Sequence, residues 1–259
     1  MTICVGRSER WPGRHEPVTT PDYRAGMPTA GSAEVMMMLL ADARLPTGAH
    51  TQSAGLEPAL RAGVPASSVP AYITARLRSV TAVEAAAAVL ARARTVSATT
   101  DPTLELAAGL EAVDAAWRAR TVSPALRETS VLLGRGYARL VRSLWPGTPG
   151  SRALAAIGRP GRAVVLGVAA ALAGLSAAQV VRLIGYDDAQ TVAAATLKLE
   201  PLDPVVATGW VMAAGPEIER MVGDLAGLTD TGQMPAFGAP QIEQWAEIHA
   251  TTSQRLFRA

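Results

Sequence analysis

The feature that most constrains the fold is a stretch of 19 residues without a charge, positions 163–181, which reads AVVLGVAAALAGLSAAQVV between Arg162 and Arg182. Such a stretch must be buried, either in a protein core or in a bilayer, for which about 20 apolar residues suffice. Alanine, two glycines, a serine and a glutamine make it less apolar than a typical membrane helix. Gly174-Leu175-Ser176 has the pattern of a helix end followed by a new N-cap. We therefore predict two core helices, with a membrane span over 163–181 as the alternative.

The composition of the whole chain favours helices. Hydrophobic residues make up 49% of its 259 residues and aromatic residues only 4%, with alanine very abundant. Alanine is the best helix former because it loses no side-chain entropy in a helix. No segment alternates as a half-buried strand does. The sequence predicts an all-α protein, a single domain of about ten packed helices over residues 33–259, after a disordered extension over residues 1–32 with four prolines and no apolar period.

The charged residues and the single cysteine exclude several classes of protein. The net charge of +2 is too small to indicate nucleic-acid binding. Lys198 is the only lysine and does not lie in a P-loop motif, so the chain is not a P-loop NTPase. Cys4 has no partner for an internal disulfide, and no apolar segment of a signal peptide follows the first arginines. We expect a cytoplasmic protein.

Capping residues and apolar periods predict where the helices begin and end. Ser32 would cap a first helix over 33–43, and a second would run from about 52 to 62 and end at Gly63. Asp101-Pro102 and Ser123-Pro124 are start signals, each an N-cap followed by proline. The remaining predicted helices are 67–96 with a break near Ser79, 160–174, 176–186, 188–199, 203–225 and 240–257, with a loop over 145–151.

No arrangement of reactive side chains is apparent. The three histidines are far apart in the sequence, so they do not form a metal site within one chain. His50 is a weak candidate metal ligand in a site shared across a dimer. The alternative is that His50 is a hydrogen-bonded loop histidine. Asp187 and Asp188 would diverge by about 100° on a helix, and we interpret them as charges near a helix N-terminus. We predict that the protein is not an enzyme. The alternative is a helical enzyme whose active site is completed by a partner chain.

Two further segments carry polar or interface residues without an obvious catalytic purpose. In the last helix, Ile242, Trp245, His249, Thr252 and Leu256 follow a 3-4-3-4 spacing, which places the imidazole on an apolar seam. The large apolar and arginine side chains in RLFRA indicate that this segment packs against the rest of the protein or against a partner protein. In the helix after Pro124, Arg135, Arg139 and Arg142 share one face, which is either solvated or a basic strip for a protein partner.

Three segments together resemble the UreF family of urease accessory proteins. They are LLADARLPTGAHTQSAGLE near the N-terminus, SPALRETSVLLGRGYARL in mid-chain and HATTSQRLFRA at the end, and the resemblance covers nearly all of residues 35–259. Each segment alone is weak evidence, but all three occur in the family's order and spacing. The chain departs from the family's pattern at Gln52, where an aromatic residue is common, and at Asp203.

The resemblance implies a scaffold that homodimerises and binds the UreD (UreH) accessory protein and the UreG GTPase. The assembly would dock on apo-urease and couple the GTPase cycle to nickel insertion, with Ni²⁺ passing through the complex and no cofactor bound tightly. No nucleic acid or membrane would be involved. The family's motifs make the following residues candidates for partner contact: Ser53, Gly55, Leu56, Glu57, His249, Arg255, Leu256, Phe257 and Arg258.

Overall fold

The computed structural model describes residues 30–98 and 103–257. These residues form twelve α-helices and three short 3₁₀ turns, without a β-strand, which confirms the predicted all-α class. The helices are Ala30–Leu40 (α1), Leu56–Arg61 (α2), Val69–Leu77 (α3), Val80–Ser97 (α4), Thr103–Arg120 (α5), Pro124–Leu144 (α6), Pro149–Ile157 (α7), Arg162–Leu172 (α8), Ala177–Leu199 (α9), Pro204–Ala213 (α10), Gly215–Leu225 (α11) and Pro240–Thr251 (α12).

The centre of the fold is the pair α4 and α8, with α9 and α5 packed beside α4. The inward face of α4 consists of alanines and valines that are almost completely buried. Gly167 of α8 lies so close to α4 that an added Cβ atom would be 2.4 Å from the carbonyl oxygen of Ala88. Small side chains therefore let the two backbones approach, and burial of this apolar surface stabilises the fold.

The uncharged stretch forms two core helices, as predicted. Gly174 has a φ of 75°, a conformation that glycine adopts without steric cost, and it separates α8 from α9. The Ser176 side chain accepts a hydrogen bond from the Gln179 backbone, and the Gln179 side chain accepts one from the Ser176 backbone, which completes a capping box. In the two described ranges, no helix is long and apolar enough to cross a membrane.

Several predicted boundaries were wrong. The first helix begins at Ala30, before the predicted cap at Ser32, and α2 begins at Leu56 because residues 52–55 form a turn. The predicted loop over 145–151 contains the start of α7, since Thr148 caps that helix through the Ser151 amide. Helix α9 is continuous where two helices were predicted, and the predicted helix over 203–225 divides at Ala214.

The start signal at Ser123-Pro124 is confirmed: the Ser123 hydroxyl accepts a hydrogen bond from the Leu126 amide at 3.1 Å. The start signal at Asp101-Pro102 lies outside the described residues. So does the predicted disordered extension, apart from residues 30–32 in α1.

Candidate partner-binding site

The turn that precedes α2 is held in an unusual backbone conformation. Ala54 and Gly55 have φ values of 54° and 77°, and a Cβ atom added to Gly55 would lie 3.0 Å from the hydroxyl of Tyr72. The carbonyl oxygen of Ala54 accepts hydrogen bonds from Tyr72 Oη at 2.7 Å and from Arg76 Nη1 at 2.9 Å. Two side chains of α3 therefore fix the turn, and the turn fixes the start of α2.

Glu57, in the first turn of α2, is completely buried and binds the C-terminal tail, which we define as residues 252–257. Its Oε1 atom accepts a hydrogen bond from the Leu256 amide at 2.8 Å, and its Oε2 atom accepts one from the Phe257 amide at 2.9 Å. Arg61, one turn later, places Nη2 at 2.7 Å from Oε1. A buried carboxylate needs such partners, and here most of them come from backbone 199 and 200 residues away in the chain.

His249 holds the same tail from α12. The imidazole is 2% exposed, and its Nε2 atom is 3.2 Å from the carbonyl oxygen of Phe257 and 3.8 Å from Glu57 Oε2. Because a carbonyl oxygen can only accept, Nε2 carries the proton and donates. Burial lowers the pKa of His249, and the nearby charge of Glu57 only partly opposes that shift. The neutral imidazole is therefore the form that this site favours.

The end of α9 completes the site. Phe257 is buried, and Lys198 Nζ lies 5.0 Å from the centroid of its ring, within the range of a cation–π interaction. The same ammonium group is 3.4 Å from the carbonyl oxygen of His50, in the 3₁₀ turn Ala49–Thr51. The structure thus brings together the two segments that the sequence singled out and adds Lys198 to them. We call this arrangement, Glu57, Arg61, Lys198, His249 and the C-terminal tail, the Glu57 site.

The candidate partner residues divide into buried and exposed groups. The buried ones are Ser53, Gly55, Leu56, Glu57, His249 and Phe257, and the exposed ones are Arg255 and Leu256. Arg258 lies outside the described residues. Of the candidates that the structure describes, Arg255 and Leu256 are the two that a partner can reach in this conformation, and the buried residues hold them in place. The predicted position of Leu256 on the apolar seam was wrong, because α12 ends at Thr251 and the tail folds back.

A cavity of about 330 Å³ lies beside this site and is lined by charged groups. The contacts between these groups were not predicted from the sequence. Arg76 binds both oxygens of Asp188, with Nη2–Oδ1 at 2.6 Å and Nε–Oδ2 at 3.0 Å. Arg162 donates to Glu84 and to Asp187, each at 2.7 Å. The interpretation of Asp187 and Asp188 as charges near a helix N-terminus was wrong, because α9 begins ten residues earlier, at Ala177.

These ion pairs explain how the charges are tolerated in the interior. Burial lowers the pKa of the Arg76 guanidinium, but Asp188 and Tyr72 together, through charge and hydrogen bonds, more than reverse this effect, and the net shift is upward. The pKa of Arg162 is likewise raised, since Glu84 and Asp187 outweigh the effect of burial. Both arginines therefore stay charged and act as fixed counter-ions. The sequence signal was two adjacent aspartates in a mostly apolar helix, where buried carboxylates need partners.

His50, the weak candidate for a metal ligand, is exposed in the turn over 49–51. Within residues 30–98 and 103–257, no three side chains of the histidine, cysteine, aspartate or glutamate types are close enough together to hold a metal ion.

Comparison with known proteins identifies the family. The sequence model of UreF matches residues 65–215. The chain is 33% identical over 229 residues to the urease accessory protein UreF of Mycobacterium marinum, covering 86% of this chain and 97% of that protein. It is 32% identical over 228 residues to UreF of Mycolicibacterium vanbaalenii, covering 87% and 99%. The chain belongs to the UreF family. UreF of Mycobacterium tuberculosis strain H37Rv is similar to the same degree, 32% over 228 residues.

Part of the Glu57 site lies inside the region that the family model matches, and part lies outside it. The family model covers α3 to α10 almost completely, which includes the buried ion pairs and Lys198. The Glu57 site also contains residues on each side of the matched region: Glu57 and Arg61 before it, and His249 and the C-terminal tail after it. These residues lie in or next to two of the three segments that carry the family resemblance in the sequence.

Proposed function

We propose that this UreF-family chain is a non-catalytic scaffold of urease maturation in the cytoplasm. It joins a UreD-like accessory protein and the UreG GTPase on apo-urease and couples GTP hydrolysis to the insertion of Ni²⁺, which passes through the complex. The observation that carries the proposal is the Glu57 site. There, buried polar groups are used to fix the backbone of an exposed segment, which is what a docking surface requires.

The docking surface for the UreD-like protein consists of the exposed part of the C-terminal tail. Leu256 is 62% exposed although its amide is bound to a buried carboxylate, and Arg255 is exposed beside it. Arg255 Nη1 donates to the carbonyl oxygen of His249 at 3.0 Å, which orients the side chain. Arginine is among the residue types that dominate binding energy at interfaces, and a preorganised backbone lowers the entropic cost of binding.

The UreG GTPase and the second copy of the chain would use other surfaces of the scaffold. The turn over 53–57 is the part that we expect to shift or present contacts when the GTPase docks. For the homodimer, the support is apolar surface on α1 and α10: Met38 is 62% exposed, and Val205 and Met212 are 74% and 76% exposed. Helices α1 and α10 both pack against α9, and apolar side chains exposed to this extent on a folded domain indicate an interaction surface.

A helical enzyme completed by a partner chain is the second candidate function, and the cavity is the observation that favours it. Gln52 lines the cavity, and its Oε1 atom is buried without a hydrogen-bond partner among the described residues. Against catalysis, each aspartate of the cavity is bound to an arginine, and the pKa of each of these arginines is raised. Groups in such pairs are poor acids and bases near neutral pH.

Co-purification tests the proposal. The full chain and three variants are expressed with the UreD-like and UreG partners, with nucleotide and nickel varied: a deletion of residues 252–259, Arg255→Glu/Leu256→Asp, and a control, Arg44→Glu, whose side chain is 91% exposed elsewhere. We expect the first two to lose the UreD-like protein and the control to retain it. Full retention by the deletion variant would contradict the role of the tail. Turnover of a small molecule by the chain with one partner would favour the enzyme.

A further inference from the structure

One exposed face of α6 carries three arginines. At 100° per residue, Leu132, Arg135, Arg139 and Arg142 fall within about 80° of the helix circumference. The three arginines are exposed, and within the described part of the chain none of them has an ion-pair partner. Other exposed arginines, by contrast, do bind carboxylates, such as Arg182 with Glu219 at 2.7 Å.

The chain segment that carries this face is basic. Residues 129–160 contain five arginines and neither aspartate nor glutamate, in a chain whose net charge is only +2. Glu128 is the acidic residue of α6 and lies just before this region, but it is bound to Arg159 at 2.9 Å. The positive charge of the three arginines is therefore not neutralised locally.

A groove of about 360 Å³ between α6 and α7 adjoins these arginines, and Arg135 and Arg142 both line it. Gly134 allows α6 to approach the segment before α8, since an added Cβ would be 2.5 Å from the carbonyl oxygen of Pro160. The remaining groove residues are small or apolar: Gly134, Ala138, Leu154, Ala155, Gly158 and Pro160. The groove is thus lined by small or apolar residues between two guanidinium groups.

We propose that this surface, which we call the α6 strip and define as Arg135, Arg139, Arg142 and the adjoining groove, docks an acidic segment of a protein partner. Carboxylates of that segment pair with the guanidinium groups, whose planar fork suits bidentate contact, while an apolar side chain between them enters the groove. Three charges are few for nucleic acid, where affinity grows with the number of phosphates neutralised. A membrane surface needs more exposed apolar residues than Leu132 supplies.

The α6 strip is separate from the Glu57 site. Helix α12 contacts the other end of α6, where Glu247 accepts hydrogen bonds from the Ser123 hydroxyl and, at 2.9 Å, from the Ala125 amide. At 1.5 Å per residue, the strip begins roughly 15 Å further along α6 and ends roughly 25 Å along it. A partner on the strip can therefore bind while the C-terminal tail is occupied, and the inference does not depend on the proposed function.

Fluorescence anisotropy with the full chain tests the inference. The probe is a fluorescein-labelled peptide, Glu-Glu-Leu-Glu-Glu-Leu-Glu, and a second peptide carries glutamine in place of every glutamate. The variant is Arg135→Glu/Arg142→Glu. The matched control is Arg94→Glu/Arg220→Glu, which changes the net charge equally at exposed positions on α4 and α11, helices that do not pack against α6. We expect the acidic peptide to bind the wild type and the control with the same affinity, and to bind the variant with an affinity at least tenfold lower.

Equal binding to variant and control, or equal binding of the two peptides to the wild type, would overturn the inference. So would binding of a 20-nucleotide oligothymidylate or of phosphatidylserine vesicles that depends on the strip when the acidic peptide fails to bind. If the charge-reversal variant does not give the wild-type circular dichroism melt, Arg135→Gln/Arg142→Gln replaces it, with a weaker but still selective loss of peptide binding expected.

Discussion

Two of the regions that bury carboxylates in this protein neutralise them in different ways. In the cavity, Asp187 and Asp188 of α9 are each bound by an arginine from another helix. In the Glu57 site, the carboxylate is bound mainly by two backbone amides of the C-terminal tail, which follows the last helix. The cavity pairs fasten α3, α4, α8 and α9 to one another, whereas Glu57 fastens only a short segment. The first arrangement supports the whole fold, and the second sets the position of one surface that can separate without unfolding the rest.

The largest effect should follow from breaking a cavity pair. Arg162→Ala removes the counter-ion of the buried Asp187 and of the half-buried Glu84, and we expect a loss of about 3–5 kcal/mol in the free energy of unfolding. Urea denaturation monitored by circular dichroism measures this loss. The matched control, Arg182→Ala, breaks an exposed pair with Glu219 and should cost no more than about 1 kcal/mol. Equal losses in the two variants would show that the cavity pairs do not support the fold as described.

A smaller and more local effect is expected at the Glu57 site. Glu57→Gln keeps the shape of the side chain but replaces one accepting oxygen with a donating amide group, so Leu256 or Phe257 loses its acceptor. We expect a cost of about 1–3 kcal/mol that is confined to the tail. Hydrogen exchange should become faster at the amides of residues 256 and 257 and remain unchanged in α4 and α8. Faster exchange throughout the core would contradict the distinction between the two regions.

The smallest effect concerns pH. The pKa of His249 is lowered in the folded protein, so the unfolded chain binds more protons than the folded one between that pKa and 6.5. Stability from this group is complete above pH 6.5 and decreases as the pH falls below it. Thermal melts between pH 7.5 and 5.5 should show a larger decrease in Tm for the wild type than for His249→Gln. A variant that follows the wild type over this range would contradict the coupling.

The sequence predicted those parts of the fold that depend on local chemistry. Gly174, the Ser176 cap and the Ser123-Pro124 pair lie where they were predicted, because caps and left-handed glycines act within one helical turn. The end of α12 was not predicted. The 3-4-3-4 spacing extends to Leu256, but the helix ends at Thr251, and the amides of the tail are bound by a carboxylate almost 200 residues away. A local pattern carries no information about such a partner.

The cavity could not be predicted for a related reason. The sequence places Asp187 beside Asp188 but does not show that Arg76 and Arg162 will face them from two other helices. That meeting depends on how α3, α8 and α9 pack, which small residues such as Gly167 decide at atomic distances. Family resemblance located the segments at 53–57 and 249–257, but it did not distinguish the buried residues from the exposed Arg255 and Leu256.

The burial of the cavity pairs also determines how the protein responds to dissolved salt. Mobile ions screen charges at the surface with a Debye length of about 10 Å at 0.1 M ionic strength, but they screen buried pairs much less. The attraction within exposed pairs such as Arg182–Glu219 should therefore weaken as ionic strength rises, while that within Arg76–Asp188 and Arg162–Asp187 persists. The packing of the helices should thus be preserved across a wide range of ionic strengths, although contacts made through surface charges alone would weaken.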